Sequence, residues 1–326
     1  MITEHFVTLF DSYFLPQGIS LLKSMERHIS SDFKLWVLCI DDDAFNVLEQ
    51  LENKNLKLMR LRDYESADLI SLKTSRSKGE YCWTLTPYAP KWVFESDPSV
   101  SRVTYLDADT WFCSDPAPIF EVFETSDKEV LITEHAPAPE YDQTHISGIY
   151  CVQYITFNRA GGEKVRSWWE DRCFEWCYAV AEDGRFGDQK YLDEWPKRFK
   201  DLVYVYPDKS SFLAPWNASR FNYESATLYH FHGVRFISWQ GFTLLIQSNY
   251  KIPNRTWKNI YLNYLRDLNA SFEVIPSSIL SSKYKSSLRV FLKELISSAL
   301  RWRRIYFLKL HDNIKHKHWS KSNHVR

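Results

Sequence analysis

Long apolar runs are missing from this chain. No stretch of about 18 residues is continuously apolar, the length a membrane span requires. The start, Met1-Ile2-Thr3-Glu4-His5, has neither the basic residues nor the apolar segment of a signal peptide. The expectation is a cytoplasmic protein, neither secreted nor membrane-spanning. Glycine is sparse, 9 of 326 residues, and neither it nor the 13 prolines dominates any segment, which excludes a collagenous or wholly disordered chain. No segment recurs at the period of a solenoid repeat. Cysteine is scarce too: the six stand at 39, 82, 113, 151, 173 and 177, without the doublets of a zinc finger or the density of a small disulfide scaffold. Cys173 and Cys177 would share a helix face, but no second ligand pair stands near them, so they read as buried thiols in a reducing compartment.

What is present is a large core and a divided charge. Apolar residues make up 44% of the chain, and at this length about 75% of the unfolded surface should be buried. The 41 basic and 41 acidic residues balance only on average. From Lys283 to Arg326 stand twelve Lys/Arg against Glu294 and Asp312, a net of +10, leaving 29 basic and 39 acidic residues before them. Such segregation predicts an anionic partner for the tail.

The first third alternates short β-rich runs with helical periodicity. His5 to Phe10 reads as a strand, Tyr13 to His28 as a helix, Leu35 to Ile40 as a strand ending on Asp41-Asp42-Asp43, then a helix with Phe45, Leu48 and Leu51, and Leu56 to Leu61 as a third strand. Strands separated by helices imply right-handed crossovers and a parallel, doubly wound α/β sheet, in which ligands bind beyond the carboxyl ends of the strands. Trp83 to Phe94 reads as a helix interrupted near Pro87 and Pro90. Val103 to Leu106 is a further strand, with others at Val130 to Thr133, Gly148 to Phe157, Val203 to Tyr206 and Thr227 to Phe231, and a helix from Gly162 to about Val180.

The strand at Val103 to Leu106 runs straight into Asp107-Ala108-Asp109. Two carboxylates flanking one small residue can converge on a cation, and hard oxygen donors suit Mg²⁺ or Mn²⁺. The same letters followed by Thr110 also fit the D-x-D-x-T opening of aspartate-nucleophile phosphohydrolases. That motif normally starts its domain, whereas here the acidic cluster at 41 to 43 comes earlier. A non-catalytic nucleotide-sugar binder is the other alternative.

Tyr105-Leu106-Asp107-Ala108-Asp109 resembles the DxD motif of nucleotide-sugar glycosyltransferases with the GT-A fold, especially the retaining family eight of bacterial lipopolysaccharide glycosyltransferases and glycogenin. Three other segments resemble that family in the same order. Thr8-Leu9-Phe10-Asp11-Ser12-Tyr13 is similar to its nucleoside-cradling first strand and turn, Gly187-Asp188-Gln189-Lys190 to its D-Q segment, and His230-Phe231-His232-Gly233 to its H-x-x-G element. The resemblance covers residues 3 to 240. It implies Asp107, Asp109 and His230 as metal ligands, with His232 competing for the imidazole position. It further implies nucleotide contacts from Thr8, Phe10, Asp11, Tyr13, Ala108 and Gly233, and donor-sugar positioning by Asp188 and Gln189. Pro215-Trp216-Asn217 would line the acceptor side. Where the family has Lys-Pro-Trp, this chain reads Val234-Arg235-Phe236-Ile237-Ser238-Trp239, leaving Arg235 as the cation of that segment, and Ile146-Ser147-Gly148 stands for Asn-x-Gly.

A mixed oxygen and imidazole set favours Mn²⁺ over Mg²⁺. The implied reaction is transfer of a hexose from a UDP-sugar to a glycan or glycolipid acceptor in cell-surface polysaccharide or lipopolysaccharide synthesis. Residues 1–250 are expected to form the GT-A-like domain and residues 251–326 a helical basic extension. In the latter, Leu288, Leu292, Leu295, Ala299, Trp302, Tyr306 and Leu310 make one helical stripe, flanked by Lys293, Arg301, Arg303, Arg304 and Lys309. That pattern predicts an interfacial helix on an anionic membrane surface, the inner face of the cytoplasmic membrane, and no nucleic-acid partner.

Overall fold

The computed structural model describes residues 3–239, 242–247, 250–300 and 305–309. Its strands are β1 (Glu4–Phe10), β2 (Phe33–Cys39), β3 (Leu56–Arg60), β4 (Arg102–Leu106), β5 (Thr110–Phe112), β6 (Val130–Glu134), β7 (Tyr150–Asn158), β8 (Val203–Val205), β9 (Phe212–Leu213), β10 (Leu228–His230), β11 (Val234–Trp239), β12 (Phe242–Gln247) and β13 (Ile305–Lys309).

Side-chain alternation along β1 and β2 assigns each residue to one of two layers. Phe6, Phe10, Leu35, Val37 and Cys39 share a core with the helix Leu15–His28. Val7, Leu9, Trp36 and Leu38 fall on the other face, with the helices Lys78–Leu85 and Tyr88–Ser96. Both faces are covered, which is why these strands read as continuous apolar runs. The helix Leu15–His28 lies hard against the end of β1: a Cβ at Gly18 would stand 2.3 Å from the Phe10 ring, so only glycine permits that approach.

The main sheet has the order β3-β2-β1-β4-β7-β6-β8. It is parallel from β3 to β4, but β7 is antiparallel to both β4 and β6, a departure from the all-parallel expectation. Residues 135–149 carry only a 3₁₀ turn and the short helix Thr144–Ser147. No full crossover helix returns the chain, and β7 comes back beside β6. The interruption expected in Trp83 to Phe94 falls at Thr86-Pro87 and makes two helices. Pro90 sits in the first turn of the second, where its missing N–H breaks no helical hydrogen bond.

Two smaller sheets flank the first, β5-β10-β9 and β11-β12-β13. The last corrects the tail reading: the helix Leu288–Leu300 ends well before 310, and Ile305–Lys309 pairs antiparallel with β12. Ile-Tyr-Phe-Leu is a strand-favouring run, and the open edge of β12 offers it a ladder. The single expected stripe also divides. Leu295 packs against the cluster of Leu244, Ile246 and Phe291, whereas Leu288 and Leu292 point outward, as does the neighbouring Ile296. Arg301, Trp302, Arg303, Arg304 and Leu310 lie outside the described residues.

The boundary drawn at residue 250 does not separate two cores. Leu265, Leu268, Phe272, Leu280 and Tyr284 belong to the same cluster as Phe6 and Phe10. Among the described residues, no helix is long and apolar enough to cross a membrane.

Candidate active site

Beyond the carboxyl ends of β1 and β4 opens a cavity of about 870 Å³. The acid pair enters it through a tight turn. The Asp107 carbonyl accepts the Thr110 N–H at 3.1 Å and the Thr110 hydroxyl at 2.7 Å, turning the chain from β4 into β5. β5 pairs antiparallel with β10, placing Thr110 opposite His230, and the Phe231 N–H donates to the Asp109 carbonyl at 2.8 Å. This register brings together residues more than a hundred positions apart. One donor atom from each of Asp107, Asp109 and His230 lies within 4.8 Å of the others, the separation a shared metal ion allows.

His230 Nε2 stands 3.1 Å from Asp109 Oδ1 and 3.8 Å from Asp107 Oδ2. Its Nδ1 lies 2.9 Å from Gln153 Oε1 on β7. An amide oxygen only accepts, so the Nδ1 proton is committed to it and Nε2 is the nitrogen turned toward the aspartates. Burial disfavours the charged ring, but Asp109, Cys151 and Asp107 outweigh it and hold the His230 pKa well above its ordinary value. Burial raises the Asp107 carboxyl to about 7, with Asp109 adding to the rise. Burial raises Asp109 as well, but His230 more than offsets it, leaving Asp109 below its usual range. A crowded, half-buried acid pair with an oriented imidazole calls for a cation, and its donor set fits Mn²⁺ or Mg²⁺.

Asp188 also faces the cavity. Burial, reinforced by Asp107, pushes its carboxyl to about 8. It caps no helix: the 3₁₀ turn Lys190–Glu194 begins at Gln189 without a side-chain cap. Its carbonyl accepts the Trp169 Nε1–H at 2.8 Å. The preceding Gly187 has φ +54 and lies against Trp83, whose ring would be 3.4 Å from an added Cβ. Gln189 lines the same wall.

Phe10, Asp11 and Tyr13 line the cavity where β1 ends. Asp11 Oδ1 caps the turn Ser12–Phe14 by accepting the Tyr13 N–H at 3.0 Å, and its other oxygen pairs with Lys78. Asp41 is a bracket between two strand ends. It accepts the Ser12 hydroxyl at 2.7 Å and the Ala44 N–H at 2.9 Å, joining the ends of β1 and β2. Ala108 lies in the cavity wall between the two aspartates.

Three expected nucleotide contacts stand elsewhere. Thr8 is fully buried within β1, Gly233 turns the chain between β10 and β11 with φ +78, and Arg235 is exposed on β11; none lines the cavity. His232 does line it, but it is exposed and is not in the Asp107–Asp109–His230 cluster. Trp216 lines it too, 5.3 Å ring to ring from His230, with its Nε1–H donated to the His135 carbonyl at 2.9 Å.

Sequence reasoning missed Gln153, Cys151, Lys78 and Lys283. Gln153 is a buried amide in a mostly apolar strand, and its place in that strand does not by itself mark it. Cys151 lies in the cavity wall beside His135 and His230, which overcome burial and bring its thiol to about 6. Cys173 and Cys177 are fully buried.

Comparison with known proteins gives the class first. The fold is that of the GT-A glycosyltransferases: the chain is similar to the WbbM bifunctional glycosyltransferase, with a TM-score of 0.51 at 14% identity, over 83% of this chain and 51% of that one. No protein-family model matches. By sequence it belongs to the family of the Bacillus subtilis (strain 168) uncharacterized protein YfnF, with 31% identity over 255 residues, 72% of this chain and 83% of YfnF. YfnD of the same organism, also uncharacterized, is 28% identical over 297 residues, 85% of this chain and 93% of YfnD.

Proposed function

We propose that this protein is a metal-dependent, retaining hexosyltransferase of the family-eight type, moving a hexose from a UDP-sugar to a glycan or glycolipid acceptor in cell-surface polysaccharide or lipopolysaccharide synthesis. The observation that carries this reading is the convergence of Asp107, Asp109 and His230 in the wall of a cavity at the strand carboxyl ends of a GT-A fold.

Breaking the bond between an anomeric carbon and a diphosphate develops negative charge on the leaving phosphate. A bound divalent ion supplies Lewis-acid stabilisation of that charge. Asp107 and Asp109 would provide oxygen ligands to the ion and His230 its Nε2, held in its tautomer by Gln153. Asp11 and Tyr13 contact the nucleoside where β1 ends. Asp188 and Gln189 bind hydroxyls of the donor sugar. An Asp188 kept protonated near neutral pH donates as well as accepts, which suits a polyol.

Mn²⁺-dependent release of UDP from a panel of UDP-sugars, without acceptor, tests the reading. Release from one sugar is expected, and Asp109→Asn should lower it at least about a hundredfold. Tight UDP binding with no turnover of any sugar would indicate a non-catalytic binder. Absence of nucleotide binding would refute the donor assignment, and nucleotide-independent phosphatase turnover would restore the phosphohydrolase.

We also place the helix Leu288–Leu300 on an anionic membrane surface. Its outward Leu288, Leu292 and Ile296 are 44%, 42% and 57% exposed, in a segment whose charge is strongly basic.

A further inference from the structure

A nucleoside diphosphate would bring its negative charge into a wall that already holds Asp11, Asp107, Asp109 and Asp188. A metal at the acid pair offsets part of that charge, and the phosphates need further cations. Among the described residues, the only lysines or arginines lining the cavity are Lys78 and Lys283. Lys78 is committed to Asp11, and its Nζ also lies 3.8 Å from Asp41. Arg235 is exposed outside the wall.

Lys283 is placed differently. It projects from the helix Ser277–Tyr284, far along the chain from the β1 turn it faces. The nearest carboxylate oxygen the structure gives it is Asp41 Oδ2, 3.9 Å from Nζ, at the outer limit of an ion pair and not at hydrogen-bond length. Its side chain is 29% exposed. The base of the side chain is fixed. Tyr284 donates its hydroxyl to the Tyr13 carbonyl, and its ring packs 5.0 Å from Tyr13 and 5.5 Å from Phe236. Just beyond, the Ser286 N–H donates to the Ser238 carbonyl at 2.7 Å. An anchored helix end thus carries a loosely paired cation in the cavity wall, beside Tyr13 and Asp41.

We infer that Lys283 binds the phosphates of the donor nucleotide, resting on the nucleotide-sugar reading above. The helical segment after residue 250 then supplies part of the donor site. A flexible four-carbon stem ending in a point charge suits a phosphate whose oxygens are also shared with a metal. On donor binding the ammonium exchanges its distant carboxylate for phosphate oxygens.

The test is calorimetric titration of the full chain with UDP and, separately, uridine, each with Mn²⁺, for the unaltered protein, Lys283→Ala and Lys283→Arg. Lys283→Ala should weaken UDP about tenfold or more, as loss of a charge-assisted bond does, and leave uridine within about twofold. Lys283→Arg should keep most of the UDP affinity. Unchanged UDP binding by Lys283→Ala would overturn the inference, as would equal loss of UDP and uridine, the mark of a structural role. If the unaltered chain binds UDP and the variants do not differ, this inference alone fails. If it binds neither ligand, the donor reading falls and takes the inference with it.

Discussion

Gln153 selects which nitrogen of His230 faces the aspartates, and it does so from a different strand and a different sheet. Removing that acceptor frees the imidazole to adopt the other tautomer and to rotate. Gln153→Leu should therefore weaken Mn²⁺ binding about ten- to a hundredfold while the melting temperature moves little, measured by metal titration and thermal unfolding. Equal metal affinity in the variant would remove Gln153 from the site. The aspartates themselves were legible because an acidic pair directly after an apolar strand has a position as well as a composition. Gln153 was not: its meaning comes from a partner 77 residues away.

At the scale of elements, the acid pair is held by what lies behind it. Trp111, in β5, donates its Nε1–H to Asp267 Oδ2 at 2.8 Å, and Arg27 binds the same carboxylate through both Nη atoms, at 2.7 and 3.1 Å. One acid therefore ties the helix Leu262–Val274 to the helix Leu15–His28 and to the strand leaving the metal turn. Arg27 is half exposed and can turn to water, but the buried Trp111 N–H cannot. Asp267→Ala should cost about 2 kcal/mol by urea denaturation, the penalty of one buried donor left unpaired. Asp267→Asn, which keeps an acceptor for Trp111, should lose less. A neutral Asp267→Ala would show that the clamp contributes nothing. The strands of the main sheet were readable from runs and alternation, yet the direction of β7 was not. Alternation is the same in either direction, and only the connector decides how a strand returns.

Across the whole molecule, the net positive charge lies from Lys283 onward while the rest of the chain is net acidic. The helix Leu288–Leu300 turns Phe291 inward and Leu292 outward, so packing and membrane contact can be separated. Leu292→Asp should abolish co-flotation with vesicles containing anionic lipid, leave the melting temperature within about 1 °C, and leave donor hydrolysis unchanged. Undiminished flotation would assign the apolar face to another partner. The extension expected from residue 251 onward proved to share the main core and to bring Lys283 to the cavity. Charge composition marked the tail as distinct, but composition carries no information about docking.

The sequence by itself determined the α/β class, the strands β1 and β2 with the helix between them, and the acid pair at the end of β4, because apolar runs, helical spacing and strand-end position are local properties. Only the tertiary structure decided that His230 meets those acids through the pairing of β5 with β10, that Gln153 orients it, and that Lys283 rather than Arg235 lines the cavity. These depend on the meeting of segments distant in the chain, and a periodic pattern states which residues are buried without stating what they are buried against.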